Sequence, residues 1–420
     1  MTAALNTQTP ADLERSVIQE PRLSSVPVQP VQVIKRAFLA PAEVNTQQGP
    51  DGIRYDFNDG CRVSVPEGNW RVEMRDSSSD YVLYRMPLNN SGVSTNKKFF
   101  VPFGIRVWKD DALVFEHNLS LKGKKVLIQF PVGTLGDLIA WFPYAVRFEQ
   151  IHGCKLTCSM GAPIIALFKG TYPSIEFRTP EEVNTAEFYA TYNIGLFFND
   201  VENRLQPIDF RHAGLHRTAA YILGVDTAEE PPKLDLPDAH RPIPEKYVCI
   251  AVNASTQCKY WNYPGGWLEI VRFLKENGYR VICIDKAPTH DVGLMRNQIP
   301  HGCEDETGDR PLIERAHWLK HAEFFIGLSS GLAWLAWAAG TPVVMISGFT
   351  LPSNEFWTPY RVINYHVCNG CWNDAALMFK HDDFMWCPRK AGTPQQFECT
   401  TQITPEQVRQ VIRTIPNFGS

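Results

Sequence analysis

A glycine-bearing loop at residues 133–137 holds the first candidate for acid–base chemistry. The loop reads Gly-Thr-Leu-Gly-Asp, and it follows a short apolar run, 124–130, that predicts a parallel β-strand. Ligands bind α/β sheets where such strands end, and glycines let the backbone approach a ligand closely. Asp137 is therefore a candidate general base, with a helix N-cap as the alternative because aspartate is a preferred cap. The loop matches neither the dinucleotide fingerprint nor the P-loop.

A lysine that follows two hydroxyl residues is a second candidate, here for phosphate binding. Ser255 and Thr256 come after the apolar run 247–252, and Lys259 lies three residues further on. The hydroxyls can donate hydrogen bonds to a phosphate, and the lysine adds a point charge. A solvated lysine in an exposed loop is the alternative, which this segment alone leaves open.

A serine pair before a glycine provides the third candidate. Ser329 and Ser330 follow the apolar run 324–328 and precede a helix-like apolar segment, so either serine could cap a helix that begins here. The free amides at such a helix start bind phosphate. An ordinary capped helix is the alternative.

Four late cysteines have a pattern typical of a metal site. Cys368 and Cys371 form a Cys-x-x-Cys pair, and Cys387 and Cys399 follow. Four thiolates suit iron or zinc, and the ligand type does not choose between the two metals. Free buried thiols are the alternative. The other seven of the 11 cysteines are expected in the core or remain unassigned.

Two α/β halves must position these residues. Strand and helix patterns alternate from residue 124 to about 230, and they resume at residue 247 after a proline-dense linker. Upstream, short apolar runs separated by turn signals predict a small antiparallel β domain. The predicted regions are a mobile arm, 1–30; a β-rich domain, 31–121; a first Rossmann-like domain, 122–235; and a second Rossmann-like domain, 236–420, which includes the four-cysteine insert at 361–400.

The composition excludes several classes of partner. The net charge is −4 without a basic tail, so no nucleic acid is expected as a partner. No run of about 18 apolar residues predicts a membrane span. The first 30 residues lack the basic and then apolar pattern of a secretory signal, so the expected location is the cytoplasm, where thiols stay mostly reduced.

Taken in order, the Gly136-Asp137 loop, the segment 255–259 and the helix start at 329–334 resemble the heptosyltransferase group of GT-B glycosyltransferases. The resemblance covers about residues 124–360 and implies a GT-B architecture, with an acceptor-side domain followed by a donor-binding domain. It also implies that Asp137 is the general base and that Lys259 and its hydroxyl neighbours hold the phosphates of a sugar nucleotide. Lipopolysaccharide-directed members usually carry Asp-Thr-Gly-x-x-His at the helix start, where this chain has Ser-Ser-Gly-Leu-Ala-Trp.

With the β-rich region and the late cysteines included, nearly the whole chain resembles the bacterial autotransporter heptosyltransferases. This resemblance implies transfer of heptose from ADP-glycero-manno-heptose to serine hydroxyls of an autotransporter adhesin. It also implies one iron per chain on the four cysteines, with zinc as the alternative, and a homo-oligomer that is a dodecamer. A lipopolysaccharide heptosyltransferase is a second hypothesis, and a non-catalytic metal-binding scaffold or rubredoxin-like electron carrier is a third.

A single base and a departing phosphate predict inversion at the anomeric carbon. The predicted site residues are Asp137 as the catalytic base; Thr134, Leu135, Gly136, Ser255, Thr256, Lys259, Ser329, Ser330 and Gly331 as donor-binding residues; and Cys368, Cys371, Cys387 and Cys399 as metal ligands.

Overall fold

The computed structural model describes residues 38–238 and 241–419, so the predicted arm at 1–30 lies outside the described residues. The described strands are β1 (Gln47–Gln48), β2 (Arg54–Asn58), β3 (Arg62–Val65), β4 (Trp70–Asp76), β5 (Tyr81–Leu88), β6 (Ser91–Ser94), β7 (Phe103–Lys109), β8 (Ala112–Asn118), β9 (Lys125–Gln129), β10 (Lys155–Ser159), β11 (Glu176–Arg178), β12 (Ala190–Asn193), β13 (Tyr247–Ile250), β14 (Arg280–Cys283), β15 (Thr289–Val292), β16 (Met295–Gln298), β17 (Glu304–Asp305), β18 (Phe325–Gly327), β19 (Val343–Ile346) and β20 (Arg361–Val362). The described α-helices are α1 (Leu135–His152), α2 (Ala162–Phe168), α3 (Phe210–Ala213), α4 (Leu215–Leu223), α5 (Gly266–Glu276), α6 (Leu312–Lys320), α7 (Gly331–Ala338), α8 (Glu398–Thr401) and α9 (Pro405–Ile412).

The first sheet is built around the strand that the sequence predicts at 124–130. Its strands lie in the order β11–β10–β9–β12–β2–β3–β6, with β1 paired to β2. β9 pairs in parallel with β10 and β12. Val126, Leu127 and Ile128 of β9 are fully buried, as expected of a parallel strand covered on both faces. The carboxyl end of β9 leads into α1, which confirms the predicted strand–loop–helix order.

The β-rich region is divided between two sheets. Strands β4, β5, β7 and β8 form a separate antiparallel sheet in the order β5–β4–β7–β8, which confirms the expected antiparallel unit. Strands β2, β3 and β6 instead extend the first sheet, because β2 pairs in parallel with β12. Four of the five residues of β2 are buried, so this strand needs cover on both faces and cannot lie at the surface of a small independent domain. Sheet pairing therefore crosses the predicted boundary at residue 121.

The second sheet has the order β17–β14–β13–β18–β19–β20, and its adjacent strands are parallel. β13 and β18 lie at the apolar runs 247–252 and 324–328, and β14 and β19 lie at two further apolar runs of this half, 280–284 and 343–346, which also predict strands. The second sheet is thus parallel, whereas the first is mixed, because its β1–β2, β2–β3 and β3–β6 pairs are antiparallel. The two sheets are connected through the proline-dense segment, in agreement with the predicted α/β fold class.

Helix α1 joins the two halves. It packs against α4 and also against α7, which belongs to the second sheet's half. Trp141 of α1 and Trp334 of α7 are buried in the same hydrophobic cluster. The residues described in 38–419 accordingly form one compact unit, and the domain boundaries remain predictions. Among the described helices, none combines the length and apolar character needed to cross a membrane.

Candidate active site

Four parallel strands end at one cavity of about 420 Å³. The loops that follow β9, β13, β18 and β19 contribute most of its lining. The structure brings together these predicted residues: Thr134, Leu135, Gly136, Asp137, Ser255, Lys259, Ser329, Ser330 and Gly331. Thr256 is the exception, because it is buried and its hydroxyl lies 3.2 Å from the thiol of Cys258.

The N-termini of α1 and α7 meet at this cavity. A Cβ on Gly136 would lie 2.8 Å from the ring of Trp334, and a Cβ on Gly331 would lie 2.9 Å from Cβ of Leu135. Both positions therefore need glycine because the two helices are in close contact. The free amides and positive dipole ends of two helices lie at the same cavity, which favours an anionic ligand.

Asp137 is the third residue of α1, not its N-cap. The cap position belongs to Thr134, so the alternative interpretation of Asp137 as the cap is wrong. Burial raises the pKa of the Asp137 carboxyl, and the charge of Lys259 and the hydroxyl of Thr134 oppose this effect only in part. A half-buried carboxylate with a raised pKa is a better proton acceptor than an exposed one, which suits a general base.

Lys259 also lines the cavity, at the end of a short 3-10 helix, Gln257–Lys259. Its ammonium group lies 5.8 Å from the ring centre of Phe349, and its charge acts on Asp137 across the cavity. Ser255 is exposed in the same loop. The cavity thus contains a lysine and a carboxylate whose charges interact.

A second carboxylate, Glu355, lines the cavity and was missed from the sequence. Its side chain is buried, and it accepts hydrogen bonds from the Ser329 hydroxyl (2.6 Å) and from the Asn354 amide (3.1 Å). Its other oxygen is ion-paired with Arg361 at 2.5 Å. Burial would raise the pKa of Glu355, but Arg361 and the hydroxyls of Ser329 and Thr350 hold that pKa below its usual range.

The segment predicted as the cysteine insert forms another wall of the cavity. Trp372, Phe379 and His381 line it, and Phe349 packs against the first two of these rings. Burial lowers the pKa of His381, and the charge of Lys259 lowers it further. One signal in the sequence could have indicated this wall, the density of aromatic residues around the cysteines, but it did not place these residues at the site.

The four predicted metal ligands gather without forming a recognisable metal centre. Within the described ranges, no three His, Cys, Asp or Glu side chains lie close enough together to hold a metal ion. The four thiols are nevertheless neighbours. Burial raises the pKa of Cys399, and the thiols of Cys371, Cys387 and Cys368 add to this effect. The backbone amide of Cys368 also donates to Glu398, the residue before Cys399, at 3.2 Å.

Comparison with known proteins defines the class of protein to which this chain belongs. Residues 215–381 match the model of glycosyltransferase family 9 (heptosyltransferase), and residues 49–111 match the N-terminal domain of glycosyltransferase TibC. The fold is therefore that of an α/β glycosyltransferase of the heptosyltransferase class. The chain is also 53% identical to the autotransporter heptosyltransferase BAHTCr of Citrobacter rodentium, over 89% of this chain and 92% of that protein. The chain belongs to the autotransporter heptosyltransferase family.

Two further relatives bear on activity. A crystal structure of TibC, from enterotoxigenic Escherichia coli, superimposes with a TM-score of 0.88 at 49% identity and covers 91% of this chain and all of that one. That protein is described as a dodecameric iron-containing heptosyltransferase in complex with ADP-D-beta-D-heptose. BimC of Burkholderia thailandensis is 48% identical, over 91% of this chain and 90% of its own length, and it is named an inactive autotransporter heptosyltransferase.

Proposed function

We propose that this chain is an inverting glycosyltransferase that moves heptose from ADP-heptose to serine hydroxyls of an autotransporter adhesin. One observation carries the proposal: a single cavity holds a carboxylate with a raised pKa, a facing lysine and two helix N-termini. Membership of the autotransporter heptosyltransferase family and the ADP-heptose complex of TibC support the choice of donor and acceptor.

The donor's pyrophosphate binds at the cationic side of the cavity. Lys259 supplies a positive charge, and the helix starts at Leu135 and Gly331 supply amides that point toward the ligand. The leaving ADP gains negative charge as the bond to the sugar breaks. Fixed positive groups lower the barrier to this step because they need no reorganisation when the charge develops.

The acceptor's proton goes to Asp137. Of the described residues that line the cavity, only Asp137 and Glu355 have carboxylates. Glu355 is already occupied by Arg361, Ser329 and Asn354, so Asp137 is the one available to accept a proton. The serine oxygen attacks the anomeric carbon opposite the departing phosphate. With one base and no nucleophilic carboxylate, no sugar–enzyme bond forms and the configuration inverts.

The cysteine segment is proposed to hold one iron on Cys368, Cys371, Cys387 and Cys399, with zinc as the alternative metal. The chemistry of the donor set fits, because four thiols in one segment suit either metal, although they are not gathered closely enough to form a metal centre among the described residues. Arg389 also directs a guanidinium N–H toward Cys368 at 3.9 Å. A metal bound here would stabilise the segment that carries Trp372, Phe379 and His381. The iron of TibC supports the proposal.

The assembly and location are also proposals. The dodecameric state of TibC supports the proposal that this chain forms a homo-oligomer. The mass of the purified protein in solution tests it. A cytoplasmic location and the domain division at residues 121 and 235 remain predictions from the sequence.

An assay of heptose transfer distinguishes the three candidate functions. The purified protein is incubated with ADP-heptose and an autotransporter passenger domain, and both the passenger and the released ADP are measured. Heptose on serine and release of ADP support the proposal. The inactive relative BimC favours a non-catalytic protein as the second candidate, and intact donor with an unmodified passenger would support that alternative. Transfer to a lipopolysaccharide core but not to the passenger would support the lipopolysaccharide hypothesis.

A further inference from the structure

We infer that Ser329 accepts a hydrogen bond from a hydroxyl of the donor sugar, and that Glu355 is the positioning residue that fixes the Ser329 hydroxyl for this role. The inference rests on the proposed function, because it needs a sugar nucleotide in the cavity. It also gives Ser329 a different task from the phosphate contact that the sequence predicts.

The argument begins with the charge on Glu355. Its side chain is 1% exposed and lies 2.5 Å from the guanidinium of Arg361, which is 9% exposed. A buried arginine beside a carboxyl group requires the carboxyl to be ionised, since otherwise the positive charge would be buried without compensation. An ionised carboxylate has no proton and can only accept hydrogen bonds.

The direction of the Ser329–Glu355 hydrogen bond follows from that charge. The two oxygens are 2.6 Å apart, and only Ser329 has a proton to donate. The Ser329 hydroxyl is therefore committed as a donor to Glu355. What it can offer to the cavity is its lone pairs, so it can accept a hydrogen bond but cannot donate a second one.

Because the Ser329 hydroxyl can only accept a further hydrogen bond, it can bind only a part of the sugar nucleotide that has a proton to donate. The pyrophosphate of a sugar nucleotide carries no protons at neutral pH, so it has nothing to give to an acceptor. The sugar has hydroxyl protons and is bonded directly to the distal phosphate. Ser329 lines the cavity two residues before the start of α7, where the phosphate site is proposed. A sugar hydroxyl next to that phosphate site is the matching partner.

Ser330 differs from Ser329 in this respect. It occupies the N-cap of α7, but its side chain makes no capping hydrogen bond. Its hydroxyl is half-buried at the cavity and can rotate to donate to phosphate. The adjacent serines are therefore assigned separate tasks, with Ser330 at the phosphate and Ser329 at the sugar.

The test compares ADP with ADP-heptose, because only the second ligand has the sugar. We expect Ser329→Ala to leave the Kd for ADP within about twofold and to raise the Kd for ADP-heptose about 3- to 10-fold, as for loss of one hydrogen bond. Lys259→Ala should weaken the binding of both ADP and ADP-heptose. Ser174→Ala, at an exposed turn far along the sequence from the loops that line the cavity, is the matched control and should change neither.

A double-mutant cycle tests the positioning role of Glu355. The preference is measured as the ratio of the Kd for ADP to the Kd for ADP-heptose. We expect Glu355→Gln to lower this ratio in the wild-type background. In the Ser329→Ala background, Glu355→Gln should not change the ratio. A purely structural role would change the binding of both ligands together and would persist without Ser329. If Glu355→Gln does not fold, Glu355→Asp takes its place in the cycle, because it keeps the charge beside Arg361 but moves the carboxylate away from the Ser329 hydroxyl.

Two outcomes overturn the inference and are distinguishable. A wild-type protein that prefers ADP-heptose, with a Ser329→Ala variant that keeps the full preference, overturns the sugar contact and leaves the proposed function intact. A wild-type protein that binds ADP but does not bind ADP-heptose overturns the proposed donor and this inference together.

Discussion

Burial of the Asp137 carboxylate disfavours its charged form. The proposed catalytic role of this residue therefore has a cost in the stability of the folded protein. The pKa of Asp137 is raised by burial, so the folded state binds a proton more tightly than the unfolded chain does. Stability therefore falls as pH rises from the ordinary range of an aspartate to this raised pKa. Asp137→Asn should lower the rate of transfer about 100- to 10 000-fold and raise the thermal midpoint at neutral pH.

Two measurements check this prediction, the rate of heptose transfer and the thermal midpoint as a function of pH. The exposed Asp235→Asn serves as the matched control and should change neither quantity. Near-normal transfer by Asp137→Asn would remove this residue from the mechanism. An unchanged or lower midpoint would show that its charge is not disfavoured in the folded protein.

Lys259 should influence the pH dependence of transfer as well as donor binding. Its positive charge lowers the pKa of Asp137, so removal of the charge lets that pKa rise further. For Lys259→Met we expect the acid limb of the pH–rate profile to move to higher pH, because the base must lose its proton to act. The exposed Lys169→Met is the control. An acid limb that stays in place at saturating donor would contradict the electrostatic coupling.

At the scale of elements, the contact between α1 and α7 fixes the geometry of the site. A Cβ at Gly331 would lie 2.9 to 3.1 Å from three atoms of Leu135, so Gly331→Ala must push the helices apart. We expect a loss of stability of about 1–3 kcal/mol and a fall in kcat/KM of about 10- to 100-fold from misplaced groups.

Gly170→Ala is the control for this contact, since its added Cβ would meet no atom within 4 Å. Thermal unfolding and transfer kinetics of the two variants give the comparison. Normal stability and kinetics in Gly331→Ala would show that the two helices can separate without consequence for the site.

The cysteine segment is the element whose role depends on a metal. Cys387→Ser should reduce the metal content from about one per chain to near zero and lower the thermal midpoint, because closed thiolate sites contribute folding energy. Transfer should fall as well, since the same segment supplies Trp372 and Phe379 to the cavity. Elemental analysis and visible absorption of fresh protein separate iron from zinc. Cys303→Ser, also half-buried but outside the cluster, should keep the metal.

The sequence could predict the elements that follow local rules. The apolar runs located β9, β13, β14, β18 and β19, and the loop residues after them converge at one cavity because parallel strands end on the same edge of a sheet. The pairing of β2 with β12 could not be predicted, since it joins residues more than 130 positions apart and has no local signal.

Residues that act through tertiary contacts were missed for the same reason. Glu355 follows Ser329 by 26 positions, and only the fold reveals that they share a hydrogen bond. Thr256 was predicted to bind the donor from its type and spacing, but its hydroxyl packs against Cys258. Local patterns identify which loops line a site, whereas the direction of each side chain depends on packing.

At the scale of the whole molecule, the family contains both a heptosyltransferase with a bound sugar nucleotide and an inactive member. Overall similarity therefore does not decide whether this chain transfers heptose. The cavity does favour activity, because Asp137, the proposed base, Lys259 and both helix starts line it together.

The central claim is tested most directly by the intact mass of an autotransporter passenger domain after incubation with this protein and ADP-heptose. We predict a mass gain by whole heptosyl residues, located on serine, with release of ADP and with no gain when Asp137→Asn replaces the wild-type chain. A passenger of unchanged mass, in the presence of folded protein that binds ADP-heptose, would contradict the account and place this chain with the inactive member of its family.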